Sequence, residues 1–113
     1  MGDKKILVVD DDELIREIFE QAFVREGYDV RLAESGEKAL GILREEDIRV
    51  VFLDLNMPGM NGVELCSEIR RKTPTAIIHA VTGYGSLFEL ASCREAGFDD
   101  YFSKPVNVPF RDG

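Results

Sequence analysis

Apolar and polar positions along this chain follow two rhythms. Three short, nearly unbroken apolar runs each reach an acid or a hydroxyl: "KKILVVD" (4–10), "IRVVFLDL" (48–55) and "TAIIHAVTG" (75–83). β-branched runs of this length predict buried strands. "YDVRLAE" (28–34) alternates and predicts another strand, and "DDYFSKP" (99–105) a last short one. Between them the period lengthens. "DELIREIFEQAFVREG" (12–27) sets Leu14, Ile15, Ile18, Phe19, Ala22 and Phe23 at helical spacing, opens on acids and closes on Gly27. "SGEKALGILREED" (35–47) predicts a helix capped by Ser35, with Ala39, Leu40 and Leu43 inward. "GVELCSEIRRK" (62–72) predicts a helix burying Leu65, Cys66 and Ile69, and "SLFELASCREAG" (86–97) one that Gly97 ends.

Five strands alternating with four helices predict an α/β domain with a parallel sheet covered on both faces. Right-handed crossovers make it an open, doubly wound sheet. No linker or repeat interrupts the pattern, so one domain over 1–113 is expected. In such a sheet the ligand site lies beyond the carboxyl ends of the strands, where the strand order reverses. The first strand delivers Asp10 and Asp11 there, with Asp12 just beyond. The third delivers Asp54, the fourth Thr82 and the fifth Lys104, followed by Pro105. The second delivers Glu34, toward one side.

Carboxylates that converge without a cation repel one another. Oxygen-only donors suit a hard ion, and Mg2+ takes one or two carboxylates together with waters and phosphate oxygens. A lysine and a threonine hydroxyl facing the same place add a positive charge and a donor for an oxyanion. Together these parts fit phosphoryl transfer, in which positioning and charge neutralisation do the work. An aspartate can itself be the nucleophile and become an aspartyl phosphate. The loop after Asp54, "NMPGMNG" (56–62), offers the Asn56 carbonyl to a metal, while Pro58 and Gly59 shape a turn.

Composition narrows the partners. At 44% hydrophobic the 113 residues can bury a core. No apolar run approaches the roughly 20 residues that span a bilayer, and the N-terminus does not read as a signal peptide, so a cytoplasmic protein without membrane contact is expected. The net charge of −8 argues against direct nucleic-acid binding. Cys66 and Cys93 read as free thiols in helices, not as a disulfide or metal pair.

The stretches "ILVVDDDELIRE", "FLDLNMPGMNG", "AVTGY" and "DDYFSKP", in this order and each at its own strand end, resemble the receiver domains of two-component response regulators. The resemblance runs from about Lys4 to Val106 and implies a flavodoxin-like, five-stranded sheet. It implies that Asp54 accepts phosphate from a histidine kinase or a phosphotransfer protein. It places Mg2+ on Asp11, Asp54 and the main chain of Asn56, with Asp10 acting through water. It makes Thr82 and Lys104 ligands of the phosphoryl oxygens, Thr82 and Tyr101 the switch pair, and Lys104–Pro105 a cis bond. Tyr84 falls beside the route to the phosphate, where it either shields the group from water or simply faces solvent. The implied protein is a phosphoacceptor that catalyses its own phosphorylation and slow dephosphorylation, and that changes its affinity for an output domain or protein. A homodimer is left open.

Receiver domains carry a fifth helix after Lys–Pro. Here "VNVPFRDG" (106–113) is too short to hold one on propensity, so a truncated or substituted last helix is expected. Asp12 and Glu13 read as acids of a helix N-terminus, not ligands. His79, the only histidine, lies inside an apolar strand and reads as structural. Two other classes compete. An aspartyl-phosphate phosphatase of the haloacid dehalogenase type would need D-x-D and a cap domain, but Asn56 follows Asp54 and there is no room for a cap. A receiver that binds partners without phosphorylation would tend to lose the acids, and all are present.

Overall fold

The computed structural model describes residues 4–83 and 94–103. The elements run β1 (Lys5–Val9), α1 (Glu13–Arg25), β2 (Asp29–Ala33), α2 (Gly36–Glu45), β3 (Val50–Asp54), α3 (Gly62–Lys72), β4 (Ile77–Thr82) and β5 (Asp100–Ser103). Arg94–Ala96 are helical, at the end of the predicted 86–97 segment. Every predicted strand and the first three helices are present, with ends that differ from the expectation by no more than two residues each. Tyr84, Cys93, Lys104 and Pro105, and with them the cis-bond and last-helix expectations, lie outside the described residues.

All pairings are parallel, and the strand order is β2-β1-β3-β4-β5. This is the flavodoxin-like order, whose switch point lies between β1 and β3. Local chemistry sets the helix starts. The Asp12 carboxylate accepts from the Leu14 N–H at 3.0 Å, and Ser35 Oγ accepts from the Lys38 N–H at 3.2 Å. At α3, Asn61 and Glu64 form a reciprocal capping box, at 2.9 and 3.0 Å. Each such cap satisfies backbone N–H groups that the first turn leaves without an intrahelical partner.

Alternation along the strands divides the core. Leu7, Val9, Val51, Leu53, Ile78 and Ala80 face α2 and α3 and are buried with Ala39, Leu65, Cys66, Ile69 and Phe98. On the other face Phe52 meets Phe23 of α1 at 4.9 Å and His79 at 4.7 Å between ring centroids. Leu14 departs from the inward pattern and is 62% exposed. It sits about 100° around the helix from buried Ile15, too far to share its contact face. Cys66 is buried, and its Sγ lies 3.5 Å from the Ala96 carbonyl.

Candidate functional site

Register brings the acids together. Val9 pairs with Leu53, and Asp54 with Val81, so Asp10 and Asp54 leave neighbouring strands at the switch point, with Thr82 one step further along β4. One oxygen from each of Asp10, Asp11 and Asp54 falls in a cluster whose members all lie within 4.8 Å of one another. Asp10 is 2% exposed, Asp54 1% and Thr82 0%, whereas Asp11 is open to solvent.

The two buried acids are oriented alike. The Asp12 N–H donates to Asp10 Oδ1 at 2.9 Å, and the Asn56 N–H donates to Asp54 Oδ1 at 3.2 Å. In each case the chain folds back two residues on, a turn that Asp forms readily. The strand ends are tied down as well. The Asp10 N–H donates to the Ala33 carbonyl and the Leu55 N–H to the Val81 carbonyl, both at 3.1 Å. Arg16, a residue the sequence did not single out, donates from Nη1 to the Asp10 main-chain carbonyl at 2.7 Å. It braces the first strand end through the backbone.

The cost of this arrangement decides its meaning. Two full charges 4.8 Å apart at an effective dielectric of about 20 repel by roughly 3 kcal/mol before any counter-charge is added. That is a large part of a small domain's whole stability, about 5–15 kcal/mol. The donor set is entirely oxygen, as a hard divalent ion requires, and two of its three carboxylates are buried at the sheet's ligand-binding edge. The acidic cluster therefore fits Mg2+ binding.

The remaining predicted residues divide. Thr82 is buried at the end of β4, beside the cluster by register. Tyr101 is half-buried in β5, opposite Ala80, and packs against the α2–α3 core. Asn56 is exposed in the loop that its N–H anchors. Glu34 lies beyond the edge strand β2, exposed and outside the acidic cluster. Asp12 caps α1 and Glu13 occupies its first turn, as the sequence indicated. His79 lies within β4, three residues before Thr82, its ring between Phe52 and Phe102 at 4.7 and 5.3 Å. Burial depresses its pKa, against the opposing pull of Asp100 and Asp99. Gly62 was missed. The sequence shows a loop rich in glycine, but not that Gly62, the first residue of α3, stands against the backbone of Asp54 and Leu55.

Comparison with known proteins agrees with this geometry. A cyclic di-GMP phosphodiesterase of Thermotoga maritima is 38% identical over 103 residues, 91% of this chain. The chain spans only 27% of that relative's length. Among solved structures, the response regulator TrrA of Thermotoga maritima, in complex with Mg2+-BeF, is 39% identical with a TM-score of 0.83, covering 93% of this chain and 90% of that one. A response regulator of Burkholderia pseudomallei, with a phosphorylated aspartic acid, a calcium ion and citrate, is 31% identical with a TM-score of 0.85, covering 96% of this chain and 64% of that one. The family model described as the response regulator receiver domain matches residues 6–109. With its switch-point acids and its strand order, the chain belongs to the response regulator receiver domains.

Proposed function

We propose that Asp54 is the phosphoacceptor, charged by the phosphohistidine of a sensor histidine kinase or phosphotransfer protein. The observation that carries the reading is the convergence of Asp10, Asp11 and Asp54 within 4.8 Å at the switch point. A relative that holds a phosphorylated aspartic acid and another in complex with Mg2+-BeF support it. An Asp54 carboxylate oxygen attacks phosphorus, the phosphorus–nitrogen bond breaks, and the imidazole leaves with the bonding pair and takes up a proton. Asp11, Asp54 and the Asn56 carbonyl would hold Mg2+ directly, and Asp10 through water. When bound, the ion supplies charge neutralisation for the carboxylates and the incoming phosphoryl oxygens.

The other residues follow from this assignment. The Asn56 N–H keeps the Asp54 carboxylate aimed out of the strand end. The Thr82 hydroxyl donates to a phosphoryl oxygen, and Lys104 gives a second cationic contact. A new contact at Thr82 favours one of two arrangements of the β4–β5 end, which Tyr101 reports by moving inward. Tyr84 shields the aspartyl phosphate from attacking water. Asn56, a neutral amide, is a poor base for that water and leaves hydrolysis slow. The domain thus acts as a switch that catalyses its own transfer and alters the affinity of an output domain or protein. It works in the cytoplasm, without direct contact to nucleic acid or membrane. Among the described residues no helix is long and apolar enough to cross a membrane.

Incubation with acetyl phosphate and Mg2+ tests the acceptor. Wild type should gain one phosphoryl group, located on Asp54 by mass spectrometry, and Asp54→Asn should gain none. Phosphate on His79 or on a serine would overturn the assignment.

A further inference from the structure

We propose that Gly62 is a positioning residue for the acceptor: its missing side chain sets where the Asp54–Asn56 backbone lies. The inference rests on the phosphoacceptor reading of Asp54. Gly62 is the first residue of α3 and is buried. A Cβ built on it would stand 2.2 Å from the Asp54 carbonyl oxygen, 2.8 Å from Leu55 Cα and 2.9 Å from the Asp54 carbonyl carbon. All three are main-chain atoms of the acceptor and its neighbour, so no side-chain rotation relieves the clash. The Gly62 N–H also donates to the Leu55 carbonyl at 3.2 Å, and this bond exists only because helix and strand end approach so closely.

Two other glycines show what is particular about this one. Gly59 has φ +74° and open space around its Cβ position, so it serves the turn's conformation and not a contact. Gly36, the first residue of α2, would meet Met60 Sδ at 2.8 Å and its Cβ and Cγ at 3.1 and 3.2 Å, all of them side-chain atoms, and the tightest lies on the flexible end. Of these three, Gly62 alone has the acceptor strand's backbone against it.

A methyl group at 62 forces a movement, and the packing determines which part moves. Real Cβ contacts stay beyond 3.0 Å, so the Asp54 carbonyl oxygen and the helix start must separate by about 0.8 Å. Helix α3 is held along its length by buried Leu65, Cys66 and Ile69. At its far end Arg70 bonds the Pro74 and Ala76 carbonyls at 2.8 and 2.6 Å, the Gly97 carbonyl at 2.5 Å and Asp99 Oδ2 at 3.0 Å. The segment after Asp54 is held at buried Leu55 and Met57 and by the Leu55 N–H on the Val81 carbonyl, while Asn56, Pro58 and Gly59 are exposed. The atoms met belong to Asp54 and Leu55, so whatever share of the displacement α3 does not take up falls on Asp54–Asn56, which carries the acceptor carboxylate and the carbonyl assigned to the metal. A reacting site tolerates about 0.5 Å of misplacement, and metal–ligand distances about 0.2 Å, so even half of this 0.8 Å exceeds what metal ligands tolerate.

The test measures the Mg2+-induced rise in Tm and the rate of Asp54 phosphorylation by acetyl phosphate for wild type, Gly62→Ala and Gly36→Ala. Gly62→Ala should lose most of the Mg2+ rise and at least tenfold in rate, while Gly36→Ala keeps both near wild type. Because the Mg2+ response is read within each variant, a merely weakened fold would lower the starting Tm and leave the rise intact. Gly62→Ala with a wild-type Mg2+ rise and rate would overturn the inference. If Gly62→Ala does not fold, amide shifts of wild type titrated with Mg2+ decide. Gly62 and Asn56 should move with one dissociation constant, and a motionless Gly62 amide would overturn the inference. A wild type that responds to neither Mg2+ nor acetyl phosphate would instead defeat the phosphoacceptor reading itself.

Discussion

The two ends of the sheet handle charge in opposite ways. At the strand starts, opposite charges interleave. Lys5 Nζ lies 3.1 Å from Glu46, Arg31 Nε 2.9 Å from Glu46 and Arg31 Nη1 2.6 Å from Asp29. The hydrogen bonds from Arg31 and Lys5 hold the Glu46 carboxyl below its ordinary range, and Arg31 is in turn pushed up by Glu46 and Asp29. Across the same end, Arg70 reaches Asp99, which also accepts the Ile78 N–H at 2.7 Å. At the strand ends, like charges gather: Asp10, Asp11 and Asp54, two of them buried. Pairing lowers the energy of the fold, whereas like charges brought together repel and suit a cation. The difference separates charge paired within the fold from charge that fits a cation, and the two lie at opposite ends of the same sheet.

Metal addition probes that difference hardest. An ion bound to the native cluster and not to the unfolded chain stabilises the fold, so Mg2+ should stabilise wild type by about 2.7 kcal/mol at a hundredfold excess over Kd. Asp11→Asn should abolish most of the rise in Tm, while Glu46→Gln, at the paired end, should leave it intact. Equal rises in wild type and Asp11→Asn, read by calorimetry, would erase the contrast.

Arg70→Ala attacks the other end. It removes a guanidinium that serves three carbonyls and a carboxylate, and should cost about 2–3 kcal/mol in denaturant unfolding, the range for charged hydrogen bonds in a partly buried setting. Phosphorylation of Asp54 by acetyl phosphate should persist in the folded fraction. A variant as stable as wild type would show that this clamp is ornamental.

The smallest expected effect is on pH dependence. Burial lowers the His79 pKa from its ordinary 6.5, so in moderately acidic solution the unfolded chain binds more protons there than the folded one. Stability should be complete above 6.5 and fall as pH drops from there through the depressed folded value. Burial alone would raise the Asp99 carboxyl, but the Ile78 N–H and Arg70 outweigh it and hold the pKa below 3.8. Its contribution is present above 3.8 and is lost as pH falls through that lower value. His79→Phe, which keeps an aromatic between Phe52 and Phe102, should flatten the stability profile just below 6.5 and leave the more acidic limb set by Asp99. An unchanged profile between 5 and 6.5, measured by urea unfolding, would show that His79 does not sense acid.

Much of the site is legible in the order of residues. An acid that closes an apolar run is costly in most places, so Asp10 and Asp54 stand out as exceptions to a period, and α/β alternation tells at which end of the sheet they gather. The Ser35 cap and the acids at the start of α1 are readable because they depend on residues within the same few positions, although that Asp12 itself is the cap came from the structure. Leu14 misleads, because apolar spacing registers candidates for a helix face and not which of them the sheet covers.

What the sequence by itself determined is the order of elements and the identity of the side chains that reach the strand ends. Both depend on interactions over a few residues: period, capping and turn chemistry. Tertiary structure alone decided the distances. The gathering of three carboxylates within 4.8 Å is a product of strand order and register. The Arg70 clamp joins residues 27 and 29 positions apart, a contact that no local pattern encodes. Gly62 is the sharpest case. In the sequence it is one more loop glycine, and only the packing of α3 onto β3 leaves its Cβ no room, because steric exclusion is a property of the neighbours that folding supplies.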